Sequence, residues 1–255
     1  MAEYHKILYS LDGPVAHLTL NRPEKRNALD AEMISEIRRA LADSAADPEV
    51  RVVLLSGAGK DFCAGADLAA LQQIANASVM ENVADARQLA DVFLEMRRHP
   101  RPIVAAVRGR ALAGGCGIAT AADIILAAES AQFGYPEVKI GFVPAMVMAI
   151  VRRSVSEKRA FELLTSGESF PARMALEIGM INRIFPDASF HQEVQSYTTQ
   201  FATRSASALA LTKSLLYQID AMAFEAALSA GVNINAIARL TDDCRRGVQQ
   251  FLRKP

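Results

Sequence analysis

The segment ALAGGCGIATAADI, Ala111 to Ile124, sets three glycines in four positions (Gly114, Gly115 and Gly117) where a helical pattern begins. Glycine weakens a helix by about 1 kcal/mol per residue relative to alanine, so the pattern needs a compensating role. Three roles suit glycine beside a helix start: a phosphate cradle, close packing of backbone, or main-chain donors in an active site. A second segment, Cys63-Ala64-Gly65-Ala66-Asp67, repeats the combination of small residues ahead of a helical pattern. Two such termini facing one another would offer two N–H groups to a carbonyl oxygen that is becoming an enolate. The residues alone leave that oxyanion hole and plain tight packing both open.

The phosphate readings fail on spacing. Gly57-Ala58-Gly59-Lys60 follows an apolar run as a phosphate loop would, but Leu54 stands at the place of the motif's first glycine. Asp61 stands where Ser or Thr is needed. The 111–124 segment lacks a G-x-G-x-x-G opening, and no strand is read immediately before it. Nucleophilic catalysis fares no better. No G-x-S-x-G elbow occurs, and His17 and His99 read as structural or exposed. Cys63 and Cys116 have no histidine beside them in sequence, so each reads as a small buried hydrophobe.

The elements that must position these segments alternate between strand and helix. His5–Leu11 and Val15–Leu20 flank the turn Asp12-Gly13-Pro14 and read as a hairpin or meander. Asp30 predicts an N-cap, followed by Met33, Ile34, Ile37 and Leu41 at helical spacing. Arg51–Ser56, Ile103–Val107 and Ile124–Ala128 read as strands, the first two buried on both faces. Leu68–Arg98 reads as mostly helical. This alternation predicts an α/β core over residues 1–185. After Pro144 a helical pattern covers 145–164, 171–178, 190–203, 207–218 and 222–240, and the stretch 186–255 reads as a helical C-terminal region. Each of those helices must bury an apolar stripe somewhere, which points to contact with another subunit.

Composition narrows the partners. Apolar residues make up 51% of the 255, and the 28 basic residues balance the 28 acidic ones. With no dense basic cluster, neither nucleic acid nor an anionic membrane is the expected partner. The N-terminus lacks a signal-peptide layout, and three widely spaced cysteines argue against disulfides and zinc. A reducing, cytoplasmic location is the expectation.

Five segments in register then match a known family. They are LNRPEKRNAL (20–29), DFCAGADL (61–68), IVAAVRGRALAGGCGIATAADI (103–124), AQFGYPEVKIGFVP (131–144) and TDDCRRGVQQFL (241–252). Over nearly its whole length the chain resembles the crotonase, or enoyl-CoA hydratase/isomerase, superfamily. The resemblance implies a spiral of ββα units with a C-terminal helical trimerisation region, assembled as a homotrimer or a dimer of trimers. It implies an acyl-CoA thioester as substrate, with Ala66 and Gly114 supplying the two oxyanion-hole N–H groups. For binding CoA it implies Lys25, Arg26, Ala28, Ala64, Asp67 and Leu68. It implies no metal, flavin or nicotinamide cofactor, since CoA is part of the substrate.

One departure matters. Hydratases of this family typically use two glutamates. The second is present as Glu137, after Tyr135-Pro136; the first normally sits three residues after the oxyanion glycine, where this chain has Gly117. One carboxylate suffices to move a proton between two carbons, as in a 3-enoyl to 2-enoyl shift, and can in principle serve hydration through water. Both reactions stay open, with a catalytically silent acyl-CoA-binding or scaffold protein as the alternative. Position 117 reads as a vacancy, so Gly117→Glu is expected to raise hydration if the site is shaped like a hydratase's. Tyr135 is read either as orienting Glu137 or as packing.

Overall fold

The computed structural model describes residues 3–67, 72 and 76–253. In chain order its strands are β1 (Ile7–Asp12), β2 (Val15–Leu20), β3 (Val52–Gly57), β4 (Ile103–Val107), β5 (Arg110–Leu112), β6 (Ile124–Ala128), β7 (Gln132–Gly134), β8 (Ser169–Pro171) and β9 (Arg183–Phe185). The larger sheet runs β1-β2-β3-β4-β6-β9. Only β1 and β2 are antiparallel; the remaining pairs in it are parallel. The smaller sheet, β5-β7-β8, pairs β5 with β7 in parallel and β7 with β8 antiparallel. The architecture is mixed α/β.

The helices are α1 (Ala31–Ala46), α2 (Val79–Arg98), α3 (Gly114–Ala121), α4 (Ala145–Ser154), α5 (Glu157–Ser166), α6 (Ala172–Glu177), α7 (Phe190–Ala202), α8 (Ala206–Gln218), α9 (Phe224–Leu240) and α10 (Asp242–Leu252). Asp30 caps α1 as its sequence predicts, accepting from the Met33 N–H at 2.8 Å. Of the run expected over 68–98, residues 68–71 and 73–75 lie outside the described residues, and a capping box of Ser78 with Glu81 opens α2. The run over 145–164 is two helices, separated at Val155 and Ser156. A three-residue strand, β5, does precede the glycine segment. Its brevity hides it from periodicity, because three residues cannot establish an alternation.

The continuous apolar runs of β3 and β4 follow from cover on both sides of the sheet. Val53, Leu55, Ile103, Ala105 and Val107 join a large core with α1, α2 and α3. The alternate residues, Val52, Leu54, Val104 and Ala106, pack against Phe190 and Val194 of α7. Both faces are therefore dry, and no polar alternation is needed.

α8 is fastened to the core at Asp123. Asp123, just before β6, accepts from Lys213 Nζ at 2.7 Å, the Tyr217 hydroxyl at 2.6 Å and the Ile103 N–H at 2.7 Å. Lys213 also donates to the Arg101 carbonyl, and burial lowers its pKa. Beyond this point the chain covers little of itself. None of the described residues of α9 or α10 is buried, and Phe224, Leu228 and Val232 stand exposed at four-residue spacing on α9. No described helix is long and apolar enough to cross a membrane.

His99 closes the bottom of α2. It is buried, its Nδ1 accepts from the Arg101 N–H, and its Nε2 faces the Leu41 carbonyl and the Ser44 hydroxyl. Burial pulls its pKa from 6.5 to about 4. Between those values the unfolded chain binds a proton that the folded chain does not, so stability falls as pH drops from about 6.5 towards 4. The difference corresponds to about 3 kcal/mol in full. Urea midpoints measured across that window should fall less steeply for His99→Gln than for the native chain.

Candidate active site

Three loops meet at one end of the parallel strands. The loop after β2 carries two consecutive left-handed residues, Arg26 (φ 53°) and Asn27 (φ 55°). Asparagine tolerates that conformation, and the Asn27 side chain stabilises it. Its Nδ2 donates to the carbonyls of Ala58 (2.9 Å) and Asp61 (2.8 Å), while its Oδ1 accepts from the Arg22 N–H (2.8 Å). The loop after β3 then threads between the other two. Ala64 N–H donates to the Arg26 carbonyl, and Leu29 forms a single parallel bridge with Ala66. On the other side Cys63 bridges Ala111 in the same way. Asp61 locks this side, its carboxylate receiving Nε and an Nη of Arg110 at 2.8 and 2.9 Å.

In the first bridge Leu29 supplies both bonds, donating to the Gly65 carbonyl and accepting from the Asp67 N–H. A parallel pairing of this kind leaves the opposing residue's own N–H turned the other way. Among the described residues the Ala66 N–H has no acceptor, and neither has the Gly114 N–H. The two donors are brought together by their predecessors. A Cβ on Gly65 (φ 96°) would lie 2.9 Å from the Ala113 Cβ, so only glycine permits the approach.

Ala113 opens α3 with φ 49° and ψ −128°, a conformation that costs an alanine on the order of 1–3 kcal/mol. The Gly134 carbonyl holds it by accepting its N–H at 2.8 Å. Each glycine of α3 then has its own packing reason. Gly114 faces Leu89 and Leu29, and a Cβ at Gly115 would lie 2.5 Å from the Cys63 Sγ. At Gly117 a Cβ would lie 2.4 Å from Val147 Cγ1 and 2.9 Å from Phe93 Cζ. The expected vacancy is therefore filled, by one side chain from α4 and one from α2.

Glu137 lies in a one-turn 3-10 helix, Pro136–Ile140, that leaves β7 beside the start of α3. It is half-buried, and burial raises its pKa above the usual 4.5, with its own backbone N–H offsetting part of the effect. Its Oε2 is buried without a hydrogen-bond partner among the described residues. Tyr135 does not orient it. The tyrosine is fully buried and its hydroxyl meets the Thr120 Oγ1 at 3.0 Å, with Cys116 alongside. Cys63 and Cys116 are likewise buried, their thiols pushed up to about 12 and about 11, so both stay protonated.

Of the residues expected to bind CoA, Lys25, Arg26 and Ala28 lie in the loop after β2, and Ala64 and Asp67 in the loop after β3. Lys25 and Arg26 are exposed and form no ion pair among the described residues; Ala28 is buried and Ala64 partly so. Asp67 is buried, with its carboxylate 2.9 Å from an Nη of Arg22. Leu68 lies outside the described residues. Sequence reasoning missed Arg22 and Asn27. Arg22 pairs with Asp30 and Asp67, each at 2.9 Å, and donates to the Ala28 carbonyl. In LNRPEKRNAL neither residue carries a signal separating it from a solvated loop side chain.

A profile of the family described as Enoyl-CoA hydratase/isomerase matches residues 11–255. The chain belongs to that family. A Thermus thermophilus protein assigned as an enoyl-CoA hydratase is 41% identical over 242 residues, covering 95% of this chain and 96% of the relative. The 2,3-dehydroadipyl-CoA hydratase of Escherichia coli is 30% identical, with 98% and 96% covered. The crystal structure of an enoyl-CoA hydratase from Mycobacterium smegmatis superposes with a TM-score of 0.93 at 30% identity, covering 97% and 96%. These likenesses make the fold that of the crotonases and the family an enzymatic one acting on acyl-CoA thioesters.

Asn27 is the residue on which this loop assembly leans most. Replacing it with alanine strips partners from two carbonyls and one N–H and puts alanine in a left-handed conformation. Asn27→Ala should lose roughly 2–4 kcal/mol of stability in urea unfolding and weaken binding of a CoA thioester in calorimetry.

Proposed function

We propose that the protein stabilises the enolate of an acyl-CoA thioester and moves one proton with Glu137, converting a 3-enoyl-CoA to a 2-enoyl-CoA. The thioester oxygen would accept from the Ala66 and Gly114 N–H groups. Both donors are fixed before substrate arrives and need no reorganisation as charge builds on the oxygen. Glu137 takes the proton from C2, the electron pair delocalises onto the thioester oxygen, and the same proton returns at C4. The double bond moves from C3–C4 to C2–C3, and the carboxylate ends as it began. No metal, flavin or nicotinamide is required by this route.

The observation carrying the reading is the Glu137 Oε2, buried and unpartnered among the described residues. An oxygen that must abandon no existing bond is ready to accept a substrate proton, and a raised pKa improves the match to a carbon acid. Gly117, with its side-chain space packed by apolar atoms, leaves no second carboxylate at that place. Hydration of a 2-enoyl-CoA is the second reading, favoured by the names of the relatives; Glu137 would then serve both proton transfers through water. Lys25 and Arg26 suit the CoA phosphates as free surface cations, and Ala28, Ala64 and Asp67 would line the same groove. The exposed apolar row on α9 supports a homotrimer or a dimer of trimers.

Purified protein should be assayed with a 3-enoyl-CoA and a 2-enoyl-CoA, alongside Glu137→Gln. The expected result is isomerisation, with kcat about 10²–10⁴-fold lower in the variant and thioester affinity nearly unchanged. Thioester binding with no turnover would instead mark a silent binder. Because the base must be ionised, kcat/KM should rise with pH through an apparent pKa above 4.5, and that limb should vanish in Glu137→Gln.

A further inference from the structure

The packing of position 117 has a second side. Val147, the third residue of α4, is buried against the helix that carries the oxyanion glycine. Its Cγ1 makes the deepest overlap, at 2.4 Å from a Cβ at position 117; its own Cβ stands at 3.4 Å, an ordinary contact. The Phe93 Cζ, at 2.9 Å, is the far end of a ring on α2. Position 117 is thus closed mainly by one methyl group of Val147, with the Phe93 ring edge a lesser obstacle that must also give way. Glu137 is close to this place, since its charge acts on Cys116, the neighbour of Gly117 in α3.

We infer that Val147 determines the reaction class: its isopropyl group excludes a second acid from position 117 and keeps that side of the site apolar. Gly117 and Val147 are then one unit, in which the side chain missing from α3 is replaced by the one projecting from α4. This rests on the one-carboxylate reading above for its chemistry, but the packing claim stands on distances alone. It also reverses the expectation for Gly117→Glu. Introduced singly, the glutamate meets Val147 before it meets substrate.

The test is a double-mutant cycle of Gly117→Glu and Val147→Ala, read by thermal unfolding and by both enoyl-CoA assays. Alanine at 147 removes Cγ1, the deepest overlap, and keeps the Cβ that already fits, so that only the Phe93 ring edge has to shift by a few tenths of an ångström. Gly117→Glu alone should melt roughly 5 °C lower or more and show no gain in hydration. Val147→Ala should melt a few degrees lower, because a small void is left. The double variant should melt above Gly117→Glu, and its ratio of hydration to isomerisation should exceed the native ratio at least tenfold. A double variant melting no higher than Gly117→Glu overturns the inference, as does a folded double variant with the native ratio. If the native chain isomerises nothing but the double variant hydrates, the inference stands and the isomerase reading falls. If the native chain isomerises and the folded double variant gains no hydration, the reverse holds.

Discussion

Two single-residue parallel bridges, Leu29 with Ala66 and Cys63 with Ala111, hold the site together. A full strand ladder on each side would satisfy every N–H in the loop and leave nothing for a ligand. No bonds at all would leave the loop undefined. An isolated bridge satisfies alternate groups and leaves the residue between them with a free, aimed donor. The remaining features of the site serve this threading. Asn27 and Arg22 shape the loop on one side, the Asp61–Arg110 pair fixes the other, and Gly65 lets the middle lie against Ala113.

Beneath the two free donors the protein is neutral. Cys63 and Cys116 are protonated thiols, and Tyr135 is a buried phenol turned towards Thr120. Phe93, Val147 and Leu89 complete an apolar underlayer around α3. Hydrogen bonds and helix-end dipoles act more strongly where no solvent or counter-charge competes. The same surroundings raise the pKa of Glu137 and leave its Oε2 without a partner among the described residues. The strain at Ala113 belongs to this arrangement, since it is where the chain turns from β5 into α3 without spending the Gly114 N–H.

The C-terminal helices obey a different balance. α8 is tied to the core by Lys213 and Tyr217 converging on Asp123, a buried pair with hydrogen bonds to spare. α10 is tied to the start of α8 by Asp243, which accepts from Ser205 and Ser207, yet α9 and α10 keep apolar residues outward. Their order along the chain is set by local helix signals rather than by burial against the core.

Local pattern alone determined the α/β alternation, the N-cap at Asp30, the strands β2, β3, β4 and β6, and the resemblance that singled out Ala66, Gly114 and Glu137. These rest on periodicity, capping and contiguous motifs, all written within a few residues of one another. The short strands β5, β7, β8 and β9 were not legible, because pairing with distant partners creates them rather than any run of their own. Arg22 and Asn27 read as loop polar residues until three segments distant in sequence converged on them. Gly117 is the sharpest case. As a letter in a motif it marks a missing acid and suggests room; only the approach of Val147 and Phe93 from two other helices shows that the room is taken. Volume inside a core depends on every element that reaches it, and no single stretch of chain records that.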